Sequence, residues 1–349
     1  FQWPQGLGVS GAMYQRLLMM AMGSFIFFAE WTWYKVVILV AGLFVAFVAH
    51  IVMNQETILY VPCVMAGMHR PSDNPKGMRS PEEISLRYED VYMTTSDGVR
   101  THAWFIMAPP QPEEADVSPE SETPAEEVVA PGRPTILFCH ANAGNIGLRL
   151  PNFAAIVEKL QANIFAFDYR GYGNSEGTPS EEGLIEDALT AWAWLEKKAK
   201  AGEIDGGRIF VFGRSLGGAV AVALASALER EDRCLRPQGL MLENTFVSIS
   251  AMVDSMFPFL ASKRLKDIFL RIKWETIERI QPLETPMLFL TGGRDEIVPS
   301  WHSEKLRKSA GKSRLLRSAL FPEGMHNDTW EAGGEKYWEA MSGFFKACL

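Results

Sequence analysis

A serine flanked by glycines is the first candidate for chemistry in this chain. Residues 209–218 read Ile-Phe-Val-Phe-Gly-Arg-Ser-Leu-Gly-Gly, an apolar run that enters a Gly-x-Ser-x-Gly pattern centred on Ser215. The pattern is typical of a sharp turn from a buried strand into a helix, where the serine hydroxyl is exposed and helix N–H groups can hold an oxyanion. Because ordinary tight turns also use glycine and serine, these five residues alone leave a nucleophile and a plain turn as equal alternatives.

A serine nucleophile at a strand end needs a histidine base that comes later in the chain. Of the six histidines, His326 is the one that both follows Ser215 and occupies a loop directly after the last predicted strand. The other five precede the serine or begin a predicted helix: His50, His69, His102, His140 and His302. The pattern therefore predicts His326 as the general base.

Two carboxylates compete for the role of orienting the base. Asp295 follows the strand predicted at 287–290, on the loop Thr-Gly-Gly-Arg-Asp, which is where a triad acid belongs. Glu243, at the end of the preceding strand, is the rival, and an aspartate that merely pairs with Arg294 is the non-functional alternative. A hydrogen bond to His326 decides between the two carboxylates.

An acyl-transfer site also needs backbone donors for the oxyanion. The N–H of Leu216, directly after the serine, is one candidate. The loop 140–145 follows the strand predicted at 135–139, and its Asn142 N–H is the second. With a nucleophile, a base, an acid and an oxyanion site all at strand ends, the pattern indicates a serine hydrolase.

The elements that must position these residues alternate between strand and helix from residue 135 onward. This alternation predicts an α/β domain with a mostly parallel sheet and helices on both faces, with the site at the carboxyl ends of the strands. A β-hairpin at 84–107 precedes it. Strands are predicted at 135–139, 164–167, 209–212, 239–242, 287–290 and 315–321.

The N-terminal region is apolar and predicts a membrane anchor. Residues 36–53 are 18 residues without a formal charge, preceded by Trp33, Tyr34 and Lys35 as at a membrane interface. A buried core helix is the alternative, although such a helix usually has a polar face. Within the predicted interfacial segment 1–35, the apolar run 17–28 is too short to span alone. It lies in the interface or pairs with 36–53 as a re-entrant hairpin.

The charge distribution and the cysteine content argue against several classes of protein. The net charge is −8, of which −6 belongs to residues 109–134, where seven acids and seven prolines predict a disordered insertion. No basic stripe suggests nucleic acid. The four cysteines have no metal-like spacing, so we expect neither metal nor cofactor. The predicted order is thus anchor at 36–53, connector at 54–83 and catalytic domain at 84–349.

Several motifs together resemble the α/β-hydrolase-domain-containing protein 13 family, whose members have yeast and plant relatives. They are His140 to Gly147, Asp168 to Gly173, Gly213 to Ala221, Glu243 to Phe246 and His326 to Trp330. The resemblance implies an α/β-hydrolase fold behind an N-terminal transmembrane anchor, with Ser215, Asp295 and His326 as the triad. Ala141 departs from the glycine usual in the family, and its methyl group narrows the predicted pocket. The acidic insertion 109–134 is also longer than expected.

The resulting hypothesis is a single-pass membrane-anchored serine hydrolase that cleaves an ester or thioester, with lipids and acylated proteins as candidate substrates. The segment 246–281 is partly apolar and predicts either lid helices near the bilayer or plain helix packing. The alternative function is a catalytically silent accessory or scaffold subunit of a membrane complex, with protein partners at the apolar and acidic surfaces.

Overall fold

A computed structural model describes residues 11–109, 132–231, 233–257 and 262–349. Most of the predicted acidic insertion, 109–134, lies outside these described residues. The chain divides into two compact units, Phe1–Asn54 and Gln55–Leu349. The first contains one helix, and the second contains the sheet.

The first unit is built on the helix α1, Gly11–Met53, which runs for 43 residues without interruption. Its segment Thr32–Met53 has 22 residues and a mean hydropathy of 2.8, and none of its most apolar stretch is buried. A helical segment of 22 residues extends about 33 Å, which is enough to cross a hydrocarbon core of about 30 Å. The re-entrant hairpin is wrong, because residues 17–28 continue the same helix. No proline separates the two apolar runs, and a single glycine inside a helix is tolerated.

The second unit contains eight strands and ten α-helices in its described residues, besides short 3₁₀ turns. The strands are β1 Arg87–Thr94, β2 Arg100–Met107, β3 Thr135–Cys139, β4 Asn163–Phe167, β5 Ile209–Arg214, β6 Gly239–Glu243, β7 Met287–Gly292 and β8 Leu316–Phe321. The helices are α2 Gln55–Leu59, α3 Leu150–Leu160, α4 Glu181–Lys200, α5 Leu216–Arg230, α6 Ile249–Met256, α7 Lys263–Phe269, α8 Thr276–Ile280, α9 Trp301–Ser309, α10 Thr329–Ala332 and α11 Gly334–Cys348.

All eight strands form one sheet in the order β1-β2-β4-β3-β5-β6-β7-β8. β2 is antiparallel to both of its neighbours, β1 and β4. The other six strands, β3 to β8, are parallel to one another. The register pairs Cys139 with Gly213, Arg214 with Glu243 and Gly292 with Phe321. The prediction of a mostly parallel sheet is confirmed, and its carboxyl ends share one edge.

The central strand β5 shows why helices cover both faces. Successive side chains of a strand point to opposite faces. Ile209 and Val211 therefore belong to the core cluster that contains α4 and α5, whereas Phe210 and Phe212 belong to the cluster that contains α3 and α11. Since both faces are apolar, each must be covered, and the strand reads as a continuous hydrophobic run.

The segment predicted as a connector, 54–83, packs against the sheet unit. Tyr60 is 3% exposed, and its hydroxyl accepts a hydrogen bond from Trp274 Nε1 at 3.1 Å. Asn74 and Asn145 exchange side-chain hydrogen bonds at 2.8 and 3.2 Å. These contacts make the residues after Asn54 part of the folded unit rather than a spacer.

His102 on β2 predicts a pH-dependent stability. It is buried, with Nε2 2.7 Å from Asp90 and Nδ1 3.6 Å from Asp168. Burial acts to lower the pKa of His102, but the two carboxylates outweigh burial and raise it above 6.5. A raised folded-state pKa stabilises fully below the unfolded value and loses this contribution as pH rises through the folded value.

We therefore expect wild type to exceed a His102→Gln variant in stability most strongly at about pH 6, near the ordinary histidine pKa, and less at higher pH. Urea unfolding of the full chain in detergent, followed by tryptophan fluorescence, measures this difference. Stability profiles that run parallel across the pH range would contradict the prediction.

Candidate active site

Ser215 occupies the bend between β5 and α5 in a strained backbone conformation. Its φ is 55° and its ψ is −119°, outside the regions that residues other than glycine usually adopt. The Ser215 N–H donates to Glu243 O at 2.8 Å, and the Thr245 hydroxyl donates to Ser215 O at 2.8 Å. The residue is 8% exposed, so the hydroxyl lies below the surface rather than on it. Bonds from β6 and the loop after it thus hold the strained serine in place.

The two glycines of the motif are required by close backbone contacts. A Cβ on Gly217 would lie 2.0 Å from Cys139 O, and one on Gly213 would lie 2.3 Å from Gly217 O. Neither contact leaves room for a side chain, and both involve backbone that cannot move aside easily. The glycines therefore let α5 start directly against the end of β3, which brings Ser215 next to the loop after that strand.

His326 and Asp295 form a hydrogen-bonded pair at the ends of β8 and β7. His326 Nδ1 lies 2.8 Å from Asp295 Oδ2 and 3.0 Å from Oδ1, with both side chains almost fully buried. Asp295 Oδ1 also accepts the N–H groups of Ile297 and Val298 at 2.9 and 2.7 Å. Since a carboxylate accepts hydrogen bonds, Nδ1 donates to it, which leaves Nε2 as the ring nitrogen that can accept a proton.

Glu243, the rival acid, is engaged elsewhere. Its carboxylate accepts hydrogen bonds from Arg214 Nε and from the Tyr337 hydroxyl, in a fully buried cluster. Arg214 also donates to Asn152 Oδ1 at 3.1 Å. Burial acts to lower the pKa of Arg214, but the charges and hydrogen bonds of Glu243 and Tyr337 together outweigh burial and raise it. Glu243 therefore neutralises a buried arginine beneath the turn, and Asp295 is the carboxylate bonded to His326.

Ser215 and His326 are not directly hydrogen-bonded in this structure. Among the described residues, no hydrogen bond joins the Ser215 hydroxyl to His326, whose backbone N–H is held by Glu296 Oε2 at 3.0 Å. Catalytic hydrogen bonds are often long without substrate and shorten when it binds. The geometry thus shows a formed acid–base pair and a formed turn on strands of one sheet edge.

The candidate oxyanion loop follows β3, which pairs with β5 in parallel. His140 is fully buried, and burial lowers its pKa to about 4, so the ring is neutral near pH 7. Its Nδ1 donates to Ala141 O at 2.7 Å. In a trans peptide the C=O and the next N–H point in opposite directions. The Asn142 N–H therefore points away from the His140 ring. The Leu216 N–H, at the first turn of α5, has no intrahelical acceptor.

Asn244 is a site residue that the sequence analysis did not single out. Its φ is 49°, and its Nδ2 donates to His326 O at 3.1 Å and to Thr329 Oγ1 at 2.8 Å. Its Oδ1 accepts the Gly292 N–H at 2.8 Å. One side chain thus joins the end of β7 to the loop that carries His326. The only sequence signal was its place within the Glu-Asn-Thr-Phe motif after β6.

We expect Asn244→Ala to lower kcat by about 10-fold to 100-fold, because a small displacement of a positioned catalytic group has that order of cost. KM should change less, since Asn244 contacts the loop rather than a substrate. Steady-state kinetics on an activated ester measures kcat and KM separately. Asn244→Asp is the matched control: its Oδ atom keeps the bond from Gly292, and it loses the donor to the His326 loop. An unchanged kcat in both variants would argue against a positioning role.

His302, also excluded as the base, has a different contact. Its Nδ1 accepts the Val247 N–H at 3.2 Å, and burial followed by the nearby Lys305 charge lowers its pKa to about 4. A neutral His302 therefore anchors the start of the segment 246–281, which consists in its described residues of α6, α7 and α8.

The sheet order, the strand-to-helix serine turn and the acid–histidine pair define an α/β-hydrolase-fold protein. Solved structures agree with the fold. The Pyrococcus furiosus esterase Pf2001 superposes with a TM-score of 0.59 at 19% identity, over 83% of this chain and 97% of that one. A Pyrobaculum calidifontis esterase has a TM-score of 0.54 at 16% identity, over 75% and 85%. Residues 130–282 match the family described as serine aminopeptidase, S33.

Relatives of higher identity narrow the class to a family. The α/β-hydrolase domain-containing protein WAV2 of Arabidopsis thaliana is 39% identical over 315 residues, 87% of this chain and 92% of the relative. Protein bem46 of Schizosaccharomyces pombe is 34% identical, over 83% and 85%. An uncharacterized membrane protein of Saccharomyces cerevisiae is 34% identical, over 76% and 82%. The chain belongs to the α/β-hydrolase-domain-containing protein 13 family.

Proposed function

We propose that the protein is a serine hydrolase that cleaves an ester or thioester through an acyl-enzyme. The observation that carries the proposal is the buried His326–Asp295 pair, 2.8 Å apart, on the same sheet edge as the strained Ser215 turn. A serine held in a strained turn, with an oriented histidine on the same sheet edge, supports nucleophilic acyl transfer.

In the proposed reaction, Ser215 Oγ attacks the acyl carbon while His326 Nε2 takes the hydroxyl proton. Asp295 keeps the Nδ1–H tautomer and stabilises the imidazolium that forms. The N–H groups of Leu216 and Asn142 bind the oxyanion. His326 then protonates the leaving alcohol or thiol, and a water deprotonated by the same nitrogen attacks the acyl-enzyme. The acid is released and Ser215 regains its proton.

The proposal places this chemistry at a membrane, with Thr32–Met53 as a single-pass anchor. The support is the length and apolar composition of that segment and the description of the Saccharomyces cerevisiae relative as a membrane protein. An anchored hydrolase meets lipids and acylated proteins at high local concentration, which makes them the proposed substrate class. Ala141, 5% exposed, adds a methyl group to the oxyanion loop, so we propose a preference for acyl groups without a bulky branch near the carbonyl.

The family description of residues 130–282 as serine aminopeptidase names a second substrate class, because the same residues can cleave an amide. Parallel assays of p-nitrophenyl esters, an acyl-CoA thioester and an aminoacyl p-nitroanilide separate the classes. We expect turnover of the first two. Turnover of the anilide alone would favour the peptidase.

Covalent labelling tests the function directly. The full chain, purified in detergent, is treated with a fluorophosphonate, and the adduct is located by peptide mass spectrometry. We expect one adduct, on Ser215, and its loss after heat unfolding. Ser226→Ala is the matched control, since Ser226 lies in α5 and is also 8% exposed, as Ser215 is. A folded protein without an adduct would instead favour the accessory or scaffold role.

A further inference from the structure

Large apolar side chains are exposed on one face of the sheet unit. The face is formed by α2, α6 and α7, and we call it the α7 face. Its exposed apolar residues are Ile58, Met256, Phe257, Ile268 and Phe269, at 55%, 56%, 44%, 71% and 42% exposure. A cluster of exposed large apolar side chains marks an interaction surface rather than ordinary surface scatter.

The three helices adjoin one another through bonds that flank these side chains. Gln55 in α2 donates to Phe269 O at 2.6 Å and accepts the Arg271 N–H at 2.9 Å. Lys266 in α7 contacts Asp254 in α6 at 2.5 Å. The apolar residues therefore lie on neighbouring helices of one surface.

The charge of the α7 face identifies the kind of partner. Residues 262–274 contain five bases and one acid, but Glu56 of α2 and Asp254 of α6 pair with Arg271 and Lys266, which leaves the face a net charge of +2 in a chain of net −8. Lys263 and Arg264 are exposed at the start of α7. Basic side chains beside large exposed apolar side chains are typical of segments that lie in the interface of an anionic membrane.

The covalent path limits how far this face can be from a bilayer. The candidate span ends at Met53, and Gln55 begins α2 two residues later. Along the chain, Asn54 alone separates the candidate span from α2. Gln55 is itself bonded to the end of α7.

We propose that the α7 face is a second, monotopic membrane contact: Ile268 and Phe269 insert into the interfacial region, and Lys263 and Arg264 pair with anionic headgroups. The proposal rests on the proposed membrane anchoring by Thr32–Met53. α6 and α7 follow the carboxyl end of β6, and Ser215 follows the carboxyl end of β5. The docked face therefore belongs to the same edge of the sheet as Ser215. The candidate active site is thereby held in a fixed orientation to the lipid surface.

Nitroxide labels on the full chain in nanodiscs test this contact. The exposed cysteines Cys63 and Cys234 are first replaced by serine. One label is placed at Ile268→Cys, a matched control at Leu320→Cys, which is 63% exposed on β8, and a span reporter at Val45→Cys, 66% exposed. Collision with oxygen and with a water-soluble nickel chelate reports whether each label lies in lipid or in water.

We expect the Ile268 label in nanodiscs with anionic phosphatidylglycerol to be several-fold less accessible to nickel than the Leu320 label. Each basic residue near an anionic surface shifts the docking equilibrium about fivefold, so Lys263→Glu with Arg264→Glu should return the Ile268 label to water. Neutral phosphatidylcholine nanodiscs should give an intermediate result.

The span reporter separates the two claims. If the Val45 label lies in lipid and the Ile268 label stays as aqueous as Leu320, anchoring stands and the α7 face proposal is overturned, leaving a protein as its occupant. If both labels are aqueous, both proposals fail. If both labels lie in lipid, both proposals are supported. If the Ile268 label lies in lipid and the Val45 label stays aqueous, the anchoring fails and the α7 face is not the second contact proposed here.

Discussion

Ser215→Ala is expected to lower ester hydrolysis by about 10⁴-fold to 10⁶-fold in kcat, as loss of a triad nucleophile does in other serine hydrolases. The fold should survive, because the bonds that hold the turn use the Ser215 backbone, from Glu243 O and the Thr245 hydroxyl. Alanine accepts φ of 55° no worse than serine does.

Single-turnover and steady-state assays of the full chain in detergent measure this loss, with circular dichroism as the check on folding. Ser226→Ala, buried to the same degree on the next helix, should retain the wild-type rate. A folded Ser215→Ala variant within tenfold of wild type would show that another group carries the hydrolysis.

Asp295→Asn is expected to lower kcat by about 10⁴-fold, because an amide cannot enforce the Nδ1–H tautomer of His326. The substitution preserves the structure: the Asn Oδ1 still accepts the Ile297 and Val298 N–H groups. The Asn NH₂ would instead donate to Nδ1 and place the ring proton on Nε2, where the base is needed. The rate of fluorophosphonate labelling should fall with kcat, since both report the nucleophilicity of Ser215.

Glu243→Gln is the matched contrast, and it should change stability instead. Removing the carboxylate leaves Arg214 buried without its counter-charge, which costs about 3–5 kcal/mol of unfolding free energy. The folded fraction should retain a rate within about tenfold of wild type, given that Glu243 has no bond to His326. Urea unfolding and active-site titration separate the two quantities. The reverse result, an inactive but stable Glu243→Gln and an active Asp295→Asn, would exchange the roles of the two carboxylates.

The order of the strands made much of this site predictable. Ser215 and Asp295 each follow a fully buried strand, whereas His326 follows the edge strand β8, of which only Phe321 is buried. Because parallel strands end at one edge, chain order brings the three positions together. Gly213 and Gly217 are required because the backbone at a strand-to-helix turn of this kind packs too closely for a side chain at either position. The structure pairs His326 with Asp295, the carboxylate whose place after β7 favoured it over Glu243.

Other features depend on contacts between distant segments and could not be read from local patterns. Asn244 bonds to β7 and to the His326 loop, and a single asparagine carries no periodic signal. The packing of Tyr60 on Trp274 is equally non-local, so a segment with Pro and Gly and no period was interpreted as a connector. The division of α1 into two apolar segments, 17–28 and 36–53, was wrong. It relied on the length of the apolar runs, although no helix breaker separates them.

Residues 59–61, which follow the candidate span Thr32–Met53, are bonded to the candidate oxyanion loop, and these bonds limit where the sheet unit could be cleaved from the rest of the chain. Asn142 donates to Leu59 O through Nδ2 and accepts the Val61 N–H at 3.3 Å, and Gly144 N–H donates to Val61 O at 2.9 Å. Residues 59–61 are thus hydrogen-bonded alongside the loop that contains the Asn142 N–H and help to fix its conformation. A protease that cleaves between Met53 and Gln55 would release an intact hydrolase, whereas one that cleaves a few residues later would release an enzyme with a loosened oxyanion site. The cleavage position that would release the sheet unit intact and the positions that would disturb the 140–145 loop therefore lie less than ten residues apart.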